Sequence, residues 1–237
     1  VAVADMEICE KLTPDYFASQ LDLLNGAAAV VVNVKTGEPL AMASWPTYNV
    51  ATILEDYQDL LEAENAPLFN RPLMGTYAPG STFKPCTAIA ALTMGIVNTE
   101  DKIKCEGVYT RYAAEGYAPE CWIWNSTKDH LTHPEENVTT AIRDSCNYYF
   151  YEVGRRLGEK KIFDYASRVG LGKKTGIEIE GESAGILANE EYKKETFDQV
   201  WYPGDTLQMA IGQSFNLFTP LQIVNYISTV ANGGTCY

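Results

Sequence analysis

The amino-acid sequence predicts a mixed α/β fold of the α+β type, in which an antiparallel sheet is flanked by helices and accompanied by a helical lobe. Three observations predict it. Two runs suited to strands, at residues 27–34 and 39–44, flank a turn and so predict a hairpin. Residues 83–94 are apolar almost all round, which is typical of a helix buried in the middle of a domain. Several helical segments then follow between residues 138 and 169.

The first part of the chain is predicted to contain a helix, the hairpin and a second helix. Thr13 and the proline after it are an N-cap and a first-turn residue, and the helix they begin ends at Gly26. The strand at 27–34 is apolar on both faces, which favours a buried strand. Residues 35–38 form the turn. An acidic helix is expected around Ile53 to Ala63.

The remaining elements follow from capping residues and breakers. Residues 98–134 are polar and loop-rich with scattered aromatic side chains, and we interpret them as a lid or an irregular segment. The later elements are a helix at 138–144, a helix that ends at Gly158, a helix at 161–169, a loop with a short extended piece at 171–181, and a final helix capped by Thr219.

Composition limits the class of protein. The 237 residues are 46% hydrophobic and 21% charged, which suits a single domain over residues 1–237 with a sizeable core. The formal net charge of −13 repels phosphate backbones and therefore argues against nucleic acid as a partner. No apolar run approaches the length of a membrane span.

Ser81 and Lys84 lie at the mouth of the predicted buried helix. Residues three apart share one helix face, so the amine can reach the hydroxyl. A serine needs a base to become a nucleophile, and burial lowers a lysine pKa enough for the amine to act as one. The helix start adds free N–H donors that favour negative charge on a reacting oxygen. The competing interpretation is a helix-starting serine with a surface lysine, because S-x-x-K often occurs by chance.

Ser145 and Asn147 lie at a break between two predicted helices, where side chains can point into a cleft. The hydroxyl could relay a proton, and the amide could hold a substrate carbonyl or the lysine. Helix capping is the ordinary role of both residue types at such a break, and taken alone these two residues favour it.

The six cysteines and two histidines do not form a known metal motif. A zinc site that combines Cys105 and Cys121 with His130 and His133 has poor spacing, so we assign no metal and no cofactor. A disulfide between Cys105 and Cys121 is the better alternative if the protein is exported. Cys86 and Cys146 are expected to be buried free thiols near the candidate site, and both histidines are expected in a solvated loop.

Taken together, the motifs resemble those of the penicillin-binding protein and serine β-lactamase superfamily. Residues 81–84 (S-T-F-K) and 145–147 (S-C-N) resemble its first two motifs. A further set of segments, which spans most of the chain, most resembles the high-molecular-mass penicillin-binding proteins. These are P-G-S-T-F-K-P at 79–85, Thr36-Gly37 in the hairpin and the A-M-A-S-W-P after it, L-G-K-K-T-G-I-E-I-E-G-E at 171–182, T-P-L-Q at 219–222 and A-N-G-G at 231–234.

The resemblance implies a transpeptidase-like fold and a D,D-transpeptidase that cross-links peptidoglycan stem peptides. Ser81 would be the acylated nucleophile, and its backbone N–H would form half of the oxyanion hole. Lys84 would accept the proton of the Ser81 hydroxyl. Ser145 and Asn147 would move protons and position the substrate. β-Lactams would acylate and inhibit the same serine. Implied partners are stem peptides, β-lactam antibiotics, a glycosyltransferase and cell-elongation or division proteins. The implied location is the extracytoplasmic face of the bacterial membrane, with an N-terminal anchor absent from this chain.

Two departures from the family pattern keep alternatives open. The third motif is Lys-Thr-Gly followed by Thr or Ser on a strand, whereas the Lys-Thr-Gly at 174–176 is followed by Ile177 and matches an ordinary loop of the family. The third motif would normally follow A-N-G-G, so the C-terminal strands are expected to be missing and activity becomes uncertain. Ser214 also stands where the family usually has glycine. The alternatives are a β-lactam sensor, a serine β-lactamase or a catalytically silent cell-wall scaffold.

Overall fold

The computed structural model describes residues 26–237, and it confirms a mixed fold of helices and small antiparallel sheets. The helix predicted to end at Gly26 therefore falls outside the described residues, apart from that glycine. The strands are β1 (Ala27–Val32), β2 (Pro39–Trp45), β3 (Ile103–Lys104) and β4 (Glu135–Glu136). The helices are α1 (Tyr57–Glu62), α2 (Arg71–Met74), α3 (Lys84–Thr93), α4 (Trp122–Ser126), α5 (Val138–Arg143), α6 (Asn147–Leu157), α7 (Glu159–Arg168), α8 (Glu190–Phe197), α9 (Pro203–Ala210) and α10 (Pro220–Ala231).

The predicted hairpin is confirmed. β1 and β2 pair antiparallel with Ala29 opposite Ala43. The turn is closed by the Gly37 amide, which donates to the Asn33 carbonyl at 2.8 Å. The prediction that β1 is fully buried is wrong, since Val31 is 52% exposed. Within residues 26–237, β1 is hydrogen-bonded along one edge only, to β2, and α10 packs against it.

The core lies among the helices that follow the hairpin. α3 is buried as its apolar sequence predicts, and Cys86, Ala90 and Ala91 are completely enclosed. α3 packs against α6 and α7, and α6 also packs against α9. At that last crossing a Cβ on Gly154 would lie 2.3 Å from the Cβ of Ala210, so a glycine is required for the close approach.

Residues 98–134 are irregular, as predicted, and part of the segment is built into the core. Apart from two-residue β3 and five-residue α4, the segment contains turns, two isolated antiparallel bridges and one short 3-10 helix. Cys105, Tyr109 and Cys121 are each no more than 3% exposed and belong to the central hydrophobic cluster. The segment therefore carries part of the core, and its polar composition concealed this because the buried residues are few and widely spaced.

Four helices, α2, α4, α8 and α9, are missing from the sequence prediction, and others have shifted ends. α8 is short and polar, so it has no clear apolar face, although Asn189 caps it by accepting the Tyr192 amide at 2.7 Å. α9 starts at Pro203, a first-turn proline that could have revealed it. The acidic helix begins only at Tyr57, because turns occupy residues 51–55. The helices predicted between 138 and 169 are confirmed to within two residues.

The final helix is confirmed with its cap. Thr219 accepts the amide of Gln222, and the Gln222 side chain accepts the amide of Thr219. The Gln222 amide group also donates to the carbonyls of Lys173 and Ala184, which fixes the loop at 171–181 against α10. The extended piece predicted in that loop is not a strand. In the part of the chain that the structure describes, every helix is too short or too polar to cross a bilayer.

Candidate active site

Ser81 lies in a tight turn that leads into α3. The turn is a 3-10 helix, Gly80–Phe83, and the Gly80 amide donates to the carbonyl of Gly212 at 2.8 Å. A Cβ on Gly212 would lie 2.1 Å from the Gly80 carbonyl oxygen, and Gly212 has a φ of +75°, so only glycine fits there. The turn leaves the Ser81 side chain exposed at the N-terminal end of α3.

Lys84 is buried beneath that serine. Its side chain is 1% exposed, which is unusual for a lysine and is tolerated because its ammonium group is fully hydrogen-bonded. The Nζ atom donates to the Ser145 carbonyl at 2.8 Å, to the Ser145 hydroxyl at 2.8 Å and to Asn147 Oδ1 at 2.6 Å. It also lies 5.7 Å from the centre of the Phe150 ring. The alternative of a solvated surface lysine is therefore wrong.

Burial changes the acid–base behaviour of this amine. Desolvation lowers the pKa of Lys84 from 10.5 to about 8, while the nearby sulfurs of Cys121 and Cys146 act in the opposite direction. A lysine with this pKa is partly neutral at physiological pH, as a general base must be.

The break between α5 and α6 brings the second pair of residues to Lys84. Ser145 has a φ of +52°, a left-handed conformation that is uncommon for a residue with a side chain. Its amide donates to the Ile142 carbonyl at 3.2 Å, and the Cys146 amide donates to the Ala141 carbonyl at 3.0 Å. This turn at the end of α5 aims both the carbonyl and the hydroxyl of Ser145 at Lys84.

A continuous chain of hydrogen bonds connects the lysine to the serine. The Ser145 hydroxyl accepts from Lys84 Nζ and donates to Ser81 Oγ at 2.9 Å. The sequence suggested that Lys84 reaches Ser81 directly, whereas the hydrogen bonds of its Nζ go to the 145–147 segment. When Lys84 is neutral, reversal of the two bonds would carry the Ser81 proton through Ser145 to the amine.

All four predicted residues meet at this site. Ser81 lies in the turn before α3 and Lys84 is the first residue of α3. Ser145 lies in the turn before α6, and Asn147 is the first residue of α6. Asn147 holds the amine rather than capping the helix. The N-cap of α6 is Cys146, whose sulfur accepts the Tyr149 amide at 3.4 Å.

A cluster of sulfur and nitrogen atoms lies directly behind the site. Cys105, Cys121, His133 and Cys146 are each no more than 6% exposed, and their ligand atoms all lie within 4.8 Å of one another. Cys121 Sγ is 3.5 Å from His133 Nδ1 and 4.0 Å from Cys146 Sγ. We call this set the thiol cluster.

The thiol cluster has the chemistry of a structural zinc site. Three thiolates and one imidazole are a usual tetrahedral ligand set, and zinc–sulfur bonds of about 2.3 Å would place the sulfurs about 3.8 Å apart. Hydrogen bonds with Cys105 and Cys146 favour the thiolate form of Cys121 and so lower its pKa. The ligand atoms present therefore fit a zinc ion with only small adjustments.

The sequence indicates only part of this cluster. It suggests a set of Cys105, Cys121 and both histidines, but His130 is exposed and stacks on Trp124 instead. Nothing in the sequence connects Cys146 to the other members, so the sequence alone predicts only a buried thiol there. The suggested Cys105–Cys121 disulfide is not formed, and both cysteines are free thiols. Cys86 is a buried free thiol, as expected.

The Lys-Thr-Gly at 174–176 lies in a loop, as its sequence context predicts. Glu182 accepts hydrogen bonds from the Thr175 amide at 2.6 Å, the Thr175 hydroxyl at 2.7 Å and the Gly176 amide at 3.2 Å. These contacts give the motif a structural role in the loop. Ser214 has a φ of +68°, which explains why glycine suits that position.

A cleft of about 650 Å³ lies beside the site rather than in it. It is lined mainly by apolar residues of β1, α10 and the turn around Pro79 and Thr82. The four candidate catalytic residues do not line it, so their assignment rests on the hydrogen-bond network and not on this cleft.

Comparison with known proteins places this geometry in a family. Residues 27–237 match the family described as penicillin binding protein transpeptidase domain. The peptidoglycan D,D-transpeptidase MrdA of Escherichia coli K12 is 31% identical over 213 residues, which cover 88% of this chain and 32% of that protein. The chain thus spans about a third of the length of this curated relative.

Two solved structures are similar over most of the chain. PBP2 of Pseudomonas aeruginosa, solved in complex with WCK 5153, has a TM-score of 0.81 and 32% identity, covering 92% of this chain and 49% of that one. PBP2 of Helicobacter pylori, solved in complex with MreC, has a TM-score of 0.80 and 30% identity, covering 91% of this chain and 40% of that one.

Proposed function

The chain belongs to the penicillin-binding protein transpeptidase domain family, and on that premise we propose that it cross-links peptidoglycan stem peptides as a serine D,D-transpeptidase. The observation that carries the proposal is the connected path from Lys84 Nζ through Ser145 Oγ to Ser81 Oγ. The curated relative with a matching name and the related PBP2 structures support it.

Acylation follows from that path. Neutral Lys84 accepts the Ser81 proton through Ser145 as Ser81 Oγ attacks the carbonyl carbon of the penultimate D-alanine of a stem peptide. The Ser81 amide, at the start of α3, donates to the developing oxyanion. Collapse of the intermediate breaks the peptide bond, and the Lys84 ammonium returns its proton through Ser145 to the departing D-alanine amine. An ester between Ser81 and the stem peptide remains.

Deacylation completes the transfer. The amine of a second stem peptide attacks the ester carbonyl, gives up a proton to neutral Lys84 through Ser145, and forms the cross-link. The ester bond breaks and Ser81 regains its proton. A β-lactam follows the first half of this path, but its opened ring stays attached to the acyl group, so the ester persists and blocks the site.

The location and partners follow from this substrate. We place the protein at the extracytoplasmic face of the bacterial membrane, where peptidoglycan is assembled. The likeness to a PBP2 solved with MreC supports a partner among the cell-elongation proteins. A glycosyltransferase that makes the glycan strands would supply the substrate.

The proposed function can be tested with a donor peptide that ends in D-alanyl-D-alanine and an acceptor amine. The proposal predicts release of D-alanine together with formation of the transferred product, and neither should form with Ser81→Ala. Ser126→Ala is the matched control, because it removes an exposed serine hydroxyl in α4 that is not among the candidate catalytic residues. Rapid hydrolysis of penicillin without transfer would instead identify a β-lactamase, and a stable penicillin adduct without transfer would identify a sensor.

A further inference from the structure

A second cavity lies between α6 and residues 102–111. Its volume is about 470 Å³, which is in the range in which proteins bind small molecules. Tyr148, Glu152 and Arg156 line it from α6, where successive spacings of four residues place all three on one face of the helix. The four candidate catalytic residues do not line this cavity, so it is separate from the site already described.

The walls of this cavity carry positive charge, in contrast to the chain as a whole. Four cations and two carboxylates line it, which gives the walls a net charge of +2 in a chain whose formal net charge is −13. Cations that converge on one cavity repel one another unless an anion lies between them, so the arrangement favours a negatively charged ligand. The four cations are Lys102, Lys104, Arg111 and Arg156.

One of the two carboxylates is already balanced by arginine. Glu152 is 8% exposed and accepts the Tyr109 hydroxyl at 2.5 Å. It also accepts two bonds from Arg155, at 2.9 and 3.0 Å, and one from Arg156 Nε at 2.7 Å. Two guanidinium groups therefore surround one carboxylate, and the terminal nitrogens of Arg156 have no hydrogen-bond partner within residues 26–237. Those nitrogens are available to an anion in the cavity.

The other three cations are equally available. Lys102, Lys104 and Arg111 are exposed and form no salt bridge in the described part of the chain. A guanidinium group binds two oxygens at once and an ammonium group adds a compact charge, a combination that suits phosphate oxygens. Tyr148 adds a neutral donor, because burial and the nearby Glu106 raise its pKa to about 12.

We propose that this cavity is a binding site for a diphosphate group. A diphosphate carries several charges and acceptor oxygens, whereas a carboxylate carries one charge and two oxygens, so four converging cations match the diphosphate better. The inference goes beyond the proposed transpeptidation. Its test involves no acylation, so either proposal can fail without the other.

The diphosphate has two possible sources, a free anion and the head group of a prenyl lipid. Among the described residues, Ile103 is the only aliphatic one that lines the cavity, so little is present to hold a lipid chain. We therefore expect inorganic pyrophosphate and geranyl diphosphate to bind with affinities within about threefold of each other. Much tighter binding of geranyl diphosphate would identify the lipid as the source.

Calorimetric titration of the protein with inorganic pyrophosphate tests the site. One saturable site is expected, with an affinity that falls as salt is added. The double variant Lys104→Gln/Arg111→Gln should weaken binding by about 10-fold or more. Both side chains are exposed, so the fold should be retained, and an unchanged Tm checks this. The matched control Lys173→Gln/Lys174→Gln removes the same charge from an exposed loop outside the cavity and should change the affinity by less than about twofold.

Glu106 gives a test of opposite sign. Its carboxylate lines the cavity and accepts the Tyr148 hydroxyl at 3.4 Å. Glu106→Gln removes a negative charge that opposes the ligand and should tighten pyrophosphate binding by about 2- to 5-fold. A cavity that binds an amine would instead lose affinity in this variant.

Four results would overturn the proposal. They are no saturable binding of pyrophosphate to the wild type, an equal loss of affinity in the cavity and control double variants, weaker binding in Glu106→Gln, and equally tight binding of citrate. The last result would assign the cavity to carboxylates rather than to phosphates.

Discussion

The catalytic network consists of Ser81, Lys84, Ser145 and Asn147, and it meets the thiol cluster at residues 145–147. The two regions differ in whether their buried polar atoms have hydrogen-bond partners. In the network, Lys84 is enclosed and every proton of its ammonium group has an acceptor. In the cluster, the thiols and His133 are equally enclosed, but His133 Nε2 has no partner among the described residues. The network is complete without a ligand, whereas the cluster has the form of a site that a cation completes.

Replacing Lys84 should change the rate of acylation and the stability of the fold in different ways. Lys84→Met removes the base and should lower penicillin acylation by roughly 10³-fold. It should leave the free energy of unfolding unchanged or increase it, because the buried charge is replaced by an apolar side chain of similar length. Acylation kinetics and urea denaturation measure the two quantities. A variant that is both active and destabilised would contradict the assigned role.

Ser145 can be tested with a matched pair of variants. Ser145→Ala and Ser145→Gly both remove the hydroxyl that connects Lys84 to Ser81, but glycine accepts the left-handed backbone without strain. Both should slow acylation by roughly 10²-fold if the hydroxyl relays the proton. If the glycine variant keeps the wild-type rate, the hydroxyl is not required and the backbone alone matters.

The pH dependence of acylation tests the lowered pKa of Lys84. Because burial lowers its pKa to about 8, the neutral amine becomes more abundant as the pH rises through that value. Acylation should therefore increase with pH, with a midpoint near 8, and level off above it. The pH–rate profile of single-turnover acylation measures this. A midpoint near the ordinary lysine value of 10.5 would show that the amine is not desolvated.

Ser214 lies outside both regions, and replacing it should have only a small effect on stability and none on acylation. Ser214 has a φ of +68° and a buried hydroxyl with no partner in the described part of the chain. Ser214→Gly relieves the strain but adds freedom to the unfolded chain, so the free energy of unfolding should change by no more than about 1 kcal/mol. Acylation should keep its rate. A large loss of activity would show that this hydroxyl takes part in the site.

The two regions also differ in how far the sequence predicted them. Ser81 and Lys84 are three residues apart, so helix geometry alone brings them together, and Ser145 and Asn147 were found because they flank a helix break. The ligands of the thiol cluster are spread from Cys105 to Cys146 through a segment with almost no periodicity. Only the folded chain brings such residues together, so the sequence alone does not indicate Cys146 and does not exclude His130.

The same reasoning explains the successes and failures in the fold. The hairpin, α3 and α10 have local signals in their strand periodicity, apolar run and cap, and all three were predicted. The exposure of Val31 depends on what packs against β1, and α8 has no apolar face to reveal it. Local chemistry therefore predicted most elements, and tertiary contacts decided the rest.

The proposed mechanism requires that Ser81 is the residue that becomes acylated. Intact mass after incubation with penicillin, followed by peptide mapping, measures this. We expect a persistent mass increase of one penicillin per chain, located on the peptide that contains Ser81 and absent from Ser81→Ala. An adduct on another residue, or an adduct that survives in Ser81→Ala, would contradict it.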